Sequence, residues 1–316
     1  MTYSVGNLIE ATDYNDFLGP GGTGTQLNGT WSDLYGQTAL SQVSSASTVT
    51  ATQWATLVNT ISAVAAHQGT AITSRTAPVT GNVIAVLNDV QSDITNTRNN
   101  YLNAAALGAQ YTAWTGTNSK TTATTWSPTS TITFTNTITW ASSSAASYFW
   151  NCGGLVKIEW SKTSTGQTGD PEWNDLANTL CGDIYISAGT SQTIAGELYF
   201  GTKKVGGTGT PAVLLQTIGF YDLTVGSGAS TVYRQNADSA PYTNNFISLT
   251  ISRPTSTTFR LRSEWSASET DPISGGTAAV GAVPGTAPCT ICTYFPPSTT
   301  YLTNSWGTPT ITATVS

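Results

Sequence analysis

Three groups of residues in this chain could do chemistry. Cys289 and Cys292 form a C-x-x-C in the run APCTIC, a spacing used for zinc and for thiol exchange. Zinc would need a second pair or nearby histidines, and the single histidine, His67, lies far before the first cysteine, Cys152. Thiol exchange would place the motif at a strand-to-helix junction. Pro288 before it and Pro296-Pro297 after it predict a loop instead. Cys289 and Cys292 are therefore weak metal candidates, whether free, bridged or metal-bound, and no cofactor is expected. Cys152 and Cys181 read as small buried hydrophobes.

The second group is carboxylates, because sugar-active proteins hydrolyse glycans with two of them. Asp170, Glu172 and Asp175 sit at a predicted helix start, where acids are favoured by the dipole alone. Glu264, Glu269 and Asp271 flank a loop after a strand and could ligate calcium with backbone carbonyls. Neither spacing favours catalysis. The nucleophile elbow G-x-S-x-G and the phosphate loop with its Lys are both missing. The glycine runs Gly19 to Gly24 and Val205 to Thr210 match a phosphate loop only in composition. His67 could act as a base or hold a metal on an oligomer axis, but its place at a helix end points to capping and dipole pairing. The chain is expected not to be an enzyme.

The third group could bind. In TFRLRSEW, strict alternation puts Phe259, Leu261, Ser263 and Trp265 on one side of a strand and Thr258, Arg260, Arg262 and Glu264 on the other. The second side either pairs its charges across strands or recognises an acidic partner. Trp54, Trp140, Trp160 and Trp173 lie in apolar stripes and read as core. Trp114, Trp126 and Trp306 lie in looser polar segments and are the candidates for exposed ligand contacts such as sugar stacking.

These residues need elements to hold them. Residues 1–110 read as helical, 111–129 as a Thr- and Gly-rich linker, and 130–316 as a mainly antiparallel β-sandwich with one inserted helix, an α+β chain. A first helix at about 13–18 stops at Gly19-Pro20, and a polar loop runs on through Gly29. Thr50 and Gln53 form a capping box. Trp54, Leu57, Ile61 and Val64 then mark one apolar stripe, closed by Gly69. Val83, Leu87, Val90 and Ile94 mark a second stripe that Tyr101 continues, predicting a helix of about 25 residues. Two stripes across a short loop fit an antiparallel hairpin, and a spacing near 3.5 lets the seam join chains. Those eight residues are the expected assembly interface, against the plainer reading of a subdomain packed within one chain.

In STITFTNTITW, Ile132, Phe134, Ile138 and Trp140 face the core and alternate threonines face away. Segments 155–160, 183–187, 197–200, 247–251, 258–265 and 310–315 read similarly. The inserted helix starts at Asp170-Pro171, buries Trp173, Leu176 and Leu180, and ends at Gly182.

Composition narrows the partners. Only 9% of the 316 residues are charged, against roughly 25% in ordinary domains, while Ser and Thr together number 92. The net charge is -6, which argues against nucleic acid as a partner, because a phosphate-backbone binder needs clustered cations. No apolar run approaches the roughly 18 residues of a membrane span. The start, MTYSVGNLIEATDY, has no secretory pattern.

The runs LIEATDYNDFLG, LYGQ (Leu34 to Gln37) and VTATQWATLVNTISAVAAHQGT, with YFWNCGG (Tyr148 to Gly154), PEWNDLANTLCG, GFYDLT (Gly219 to Thr224) and NFISLTISR, carry a resemblance. The chain resembles virion structural proteins of tailed phages that infect marine cyanobacteria, of the tail, baseplate and fibre kind. The resemblance implies a structural component of the virion. Such a protein is made in the host cytoplasm and assembles with other copies of itself and other virion proteins. A receptor- or glycan-binding module at the particle surface, meeting host glycan, and a head decoration protein are the alternatives.

Overall fold

The computed structural model describes residues 11–19, 25–45, 47–80, 89–112, 131–162, 170–240, 242–267 and 289–316. Its N-terminal part holds α1 (Ala11–Leu18), α2 (Leu27–Trp31), α3 (Ala51–Gln68) and α4 (Val90–Asn99). The start of α3 is the expected capping box: Gln53 N–H donates to Thr50 Oγ1 at 3.3 Å, and Thr50 N–H to Gln53 Oε1 at 2.7 Å. Gly69 ends the helix at φ 71°, a left-handed conformation that glycine adopts without a Cβ penalty. Trp54, Leu57 and Ile61 are fully buried against α1, α2 and α4, with the rings of Tyr14 and Phe17 meeting Trp54 edge-on at 5.4 and 6.0 Å.

The loop expected through Gly29 is instead α2, held by one buried amide. Asn28 Nδ2 donates to the carbonyls of Gly19 and Leu40, and its Oδ1 accepts from Leu40 N–H. An Asn so used satisfies backbone groups that a short irregular segment cannot pair by itself.

The second helix is much shorter than its stripe predicts. Asp89 has φ 63°, which stops α4 from running back through that position, and the chain turns at Tyr101-Leu102. Val83 and Leu87 lie outside the described residues. Gln68 at the end of α3 donates to the carbonyl of Thr97 near the end of α4.

The strands are β1 (Tyr111–Thr112), β2 (Thr131–Thr139), β3 (Leu155–Ser161), β4 (Asp183–Ile186), β5 (Gln192–Ile194), β6 (Glu197–Tyr199), β7 (Thr202–Val205), β8 (Val213–Leu214), β9 (Ser230–Asn236), β10 (Phe246–Thr255), β11 (Thr258–Ser266), β12 (Cys289–Phe295) and β13 (Thr310–Val315). They form antiparallel sheets in the orders β1-β12-β3-β4-β7 and β13-β2-β11-β10-β9-β8, with a separate β5-β6 pair. Both larger sheets contribute to one buried cluster. Trp160 of β3 lies flat on Tyr233 of β9, with ring centroids 5.3 Å apart, and donates its indole N–H to Ser263 of β11 at 2.6 Å. An indole buried with its polar end satisfied joins the two sheets by area and by direction together.

Among the described residues two helices, not one, interrupt the strands. α5 (Ser143–Asn151) is capped by Ser142, whose hydroxyl accepts from Ala145 N–H at 3.0 Å. It buries Phe149 and Trp150, with Trp150 stacked on Phe220 at 4.9 Å. α6 (Asp170–Asp175) runs on as one π-helical turn, Leu176–Leu180, burying Trp173, Leu176 and Leu180 as expected. The glycine run after β7 serves this turn. Thr208 and Gly209 donate their N–H groups to the carbonyls of Thr179 and Leu180, which have no partner inside the helix. Gly207, at φ 64°, comes so close that a Cβ there would lie 2.5 Å from the nitrogen of Gly182.

The boundary at residue 110 does not divide the packing. Tyr35, Val64 and Leu102 lie in the same cluster as the sheets, and Gln37 bonds both N–H and carbonyl of Thr303.

Candidate functional site

The six stripe residues that are described do not form a free seam. Trp54, Leu57, Ile61, Val90 and Ile94 are buried in the helical cluster, and Val64 in the main core. Each fully buried Leu, Ile or Val contributes ~1.5–3 kcal/mol, and that burial is complete inside one chain. The described part of the expected assembly interface is thus corrected to intrachain core.

His67 is also internal. It is 2% exposed, and its Nε2 lies 3.2 Å from the carbonyl oxygen of Cys152, with Tyr35 against the ring edge-on at 5.4 Å. Burial pulls its pKa from 6.5 down to about 4, outweighing the hydrogen bond to Cys152, which favours the charged ring. Its role is to fasten the end of α3 to the end of α5, and the same residue's carbonyl accepts from Ala105 N–H.

The cysteines are kept apart from chemistry by burial. The expected loop at 289–292 is strand β12, an interior strand between β1 and β3. Pro296 and Pro297 follow its last residue, Phe295, where a missing N–H breaks no bond of that strand. Cys152, Cys181 and Cys292 are buried and free, and burial pushes the Cys181 and Cys292 thiols up to about 12 and raises Cys152 well above its ordinary value. A thiol so shifted is protonated and a poor metal ligand or nucleophile. The side chain of Cys289 lies outside the described residues. Among the described residues no group of three His, Cys, Asp or Glu side chains could hold a metal, and no helix is long and apolar enough to cross a membrane.

Of the tryptophans expected to be exposed, Trp306 is 2% exposed and belongs to the main core, which corrects it as a ligand contact. Trp114 and Trp126 lie outside the described residues, as do Glu269 and Asp271. Glu172 is half-buried, and burial raises its pKa against a backbone hydrogen bond from Ser239.

What the structure does assemble is the outer face of the six-stranded sheet. Phe259, Leu261, Ser263 and Trp265 of β11 are buried on the inner side, as alternation predicts. Thr258, Arg260, Arg262 and Glu264 stand on the other, with Arg260 and Arg262 exposed. Register lines up their neighbours. Arg260 lies opposite Thr137 on one side and Ser252 on the other, and Arg262 opposite Thr135 and Thr250. The rows continue outward to Thr312 and Thr314 on β13 and to Thr231 on β9.

Arg262 pairs with Glu264 at 2.7 Å, with 53% of the Arg side chain still exposed. Among the described residues Arg260 has no ion-pair partner. Arg234 of β9 lies opposite Ser248, its guanidinium carbon 3.8 Å from the centre of the Phe246 ring and its Nε donating to Asn236 Oδ1. That guanidinium is held flat before any ligand arrives. Three of the chain's six arginines therefore share one face with rows of hydroxyls and, among the described residues, a single carboxylate. The sequence shows the β11 half of this face, while the contributions of β13, β9 and Arg234 come from strand order.

Comparison with protein-family models, with curated proteins and with solved structures finds no match to this chain.

Proposed function

We propose that this chain is a non-catalytic structural component of a phage virion, associated with tail, baseplate or fibre, and present in several copies alongside other virion proteins. The two larger sheets read as a sandwich whose inner faces share the core and whose outer face, on the β13-to-β9 side, meets partners. One observation carries this reading: the described apolar residues of the helical stripes are buried within the chain, while the outer face of the six-stranded sheet is hydroxyl-rich and bears three arginines. Hydroxyl faces pack against other surfaces with little charge desolvation and with weak dependence on salt. The resemblance to virion proteins of tailed phages supplies the setting.

Peptide mass spectrometry of purified particles tests it. The expected result is this chain at a fixed copy number above one per particle after washing in high salt. Recovery only from the soluble fraction of the lysate overturns the proposal. A receptor- or glycan-binding role at the particle surface is the second reading, favoured by Arg260 and Arg262 standing exposed among threonines.

A further inference from the structure

We propose that the outer face of the six-stranded sheet binds a linear polysaccharide carrying carboxylate or sulfate groups. The oxyanions would sit on Arg260 and Arg262 and the sugar hydroxyls on the threonine rows beside them. The inference rests on reading this face as the contact surface of the chain, and it adds the chemistry of what is contacted.

The first support is charge. The protein carries a net charge of -6, yet among the described residues this face holds three guanidiniums against one carboxylate, and that carboxylate is already engaged by Arg262. An anion is therefore repelled by the chain as a whole and attracted here. A guanidinium offers a planar fork of donors matched to carboxylate and sulfate oxygens.

The second support is spacing and hydroxyl chemistry. Arg260 and Arg262 are two residues apart on one strand, about 7 Å along it. Their half-buried cross-strand neighbours Thr137, Thr135 and Thr250 lie about 5 Å to either side, while Ser252 beside Arg260 is buried. A hydroxyl both donates and accepts, as a sugar hydroxyl does, so a chain of sugars laid along β11 finds complementary partners on both flanks. Duplex DNA fits less well, since it presents a phosphate charge about every 1.7 Å of helix axis and three arginines neutralise few of them. A peptide would be held by a sheet edge rather than a face.

The experiment uses the full chain and three immobilised polymers: polygalacturonate, which carries carboxylates, carrageenan, which carries sulfates, and uncharged dextran. Retention on at least one anionic polymer but not on dextran is expected, and the two anionic arms tell carboxylate from sulfate recognition. Arg260→Ala or Arg262→Ala should weaken that retention about tenfold each, with the thermal midpoint unchanged because both side chains are exposed. Lys203→Ala, which removes an equal charge from the other sheet, should leave it unchanged. The proposal is overturned by failure of the folded protein to bind either anionic polymer, by equal retention on dextran, by equal loss in Lys203→Ala, or by duplex DNA binding as tightly as the best polysaccharide. Copy number in purified particles is measured without any polysaccharide. Loss of polymer binding with copy number intact therefore removes the ligand assignment and leaves the virion reading standing.

Discussion

Acid should loosen this protein through one residue, His67. In the folded chain its ring is buried between Tyr35 and the Cys152 carbonyl, and its pKa falls from 6.5 to about 4. In the unfolded chain the ring is in water and charges at its ordinary value. A base whose folded pKa lies below its unfolded one binds fewer protons in the native state, so stability falls as pH drops from 6.5 toward 4. The full difference is about 3 kcal/mol at the ~1.4 kcal/mol that each pKa unit carries. About 2 kcal/mol of it is lost between neutral pH and about pH 4.5. Urea unfolding followed by tryptophan fluorescence at those two pH values measures the loss. Carboxylates also titrate in this window, so the informative quantity is the difference from His67→Gln, an uncharged side chain that can still donate to the Cys152 carbonyl. The variant should be less stable at neutral pH and should lose about 2 kcal/mol less than the parent on acidification. Equal pH dependence in the two proteins would refute the assignment of the acid sensitivity to this buried ring.

Other perturbations test the packing. Trp160→Ala removes the ring stacked on Tyr233 and the hydrogen bond to Ser263, and should cost ~3–5 kcal/mol in chemical denaturation. Thr50→Ala should cost ~1 kcal/mol by breaking the capping box of α3, read as a lower unfolding midpoint with an unchanged denaturant slope. Cys152, Cys181 and Cys292 should resist alkylation in the native protein at neutral pH and react after denaturation, as peptide mapping of the labelled sites will show. Gly207→Ala should destabilise the contact with Gly182, because a Cβ there meets backbone at 2.5 Å and the φ of 64° is strained for alanine.

Much of the candidate face is legible in the amino-acid sequence. The alternation in TFRLRSEW separates Arg260, Arg262 and Glu264 from Phe259, Leu261 and Trp265, and the same period in TITFTNTIT and TITATV places the threonines. Arg234 is not legible as part of the face. Its strand reaches β11 only through β10, and nothing in the local pattern of STVYRQN says so. Trp306 misleads for a related reason: a polar neighbourhood in sequence becomes a buried site once the C-terminal segment folds over Gln37 and Tyr35, where Ser305 donates to the Tyr35 carbonyl. The loop expected at Cys289 and Cys292 rests on prolines that in fact bracket a strand.

The division has a physical cause. Caps, left-handed glycines and the periods of helix and strand depend on residues a few positions apart, so Thr50 with Gln53, Gly69, and the alternation of β2 and β11 are properties of the sequence alone. Which apolar stripe covers which, and whether a histidine or tryptophan meets water, depends on surfaces brought together from far along the chain. The stripe of α3 looks the same whether a second chain or α1 and α4 cover it. Only the tertiary structure decided that Trp54 packs on Tyr14 and Phe17, that His67 closes on Cys152, and that the threonines of β13 come to lie beside those of β2.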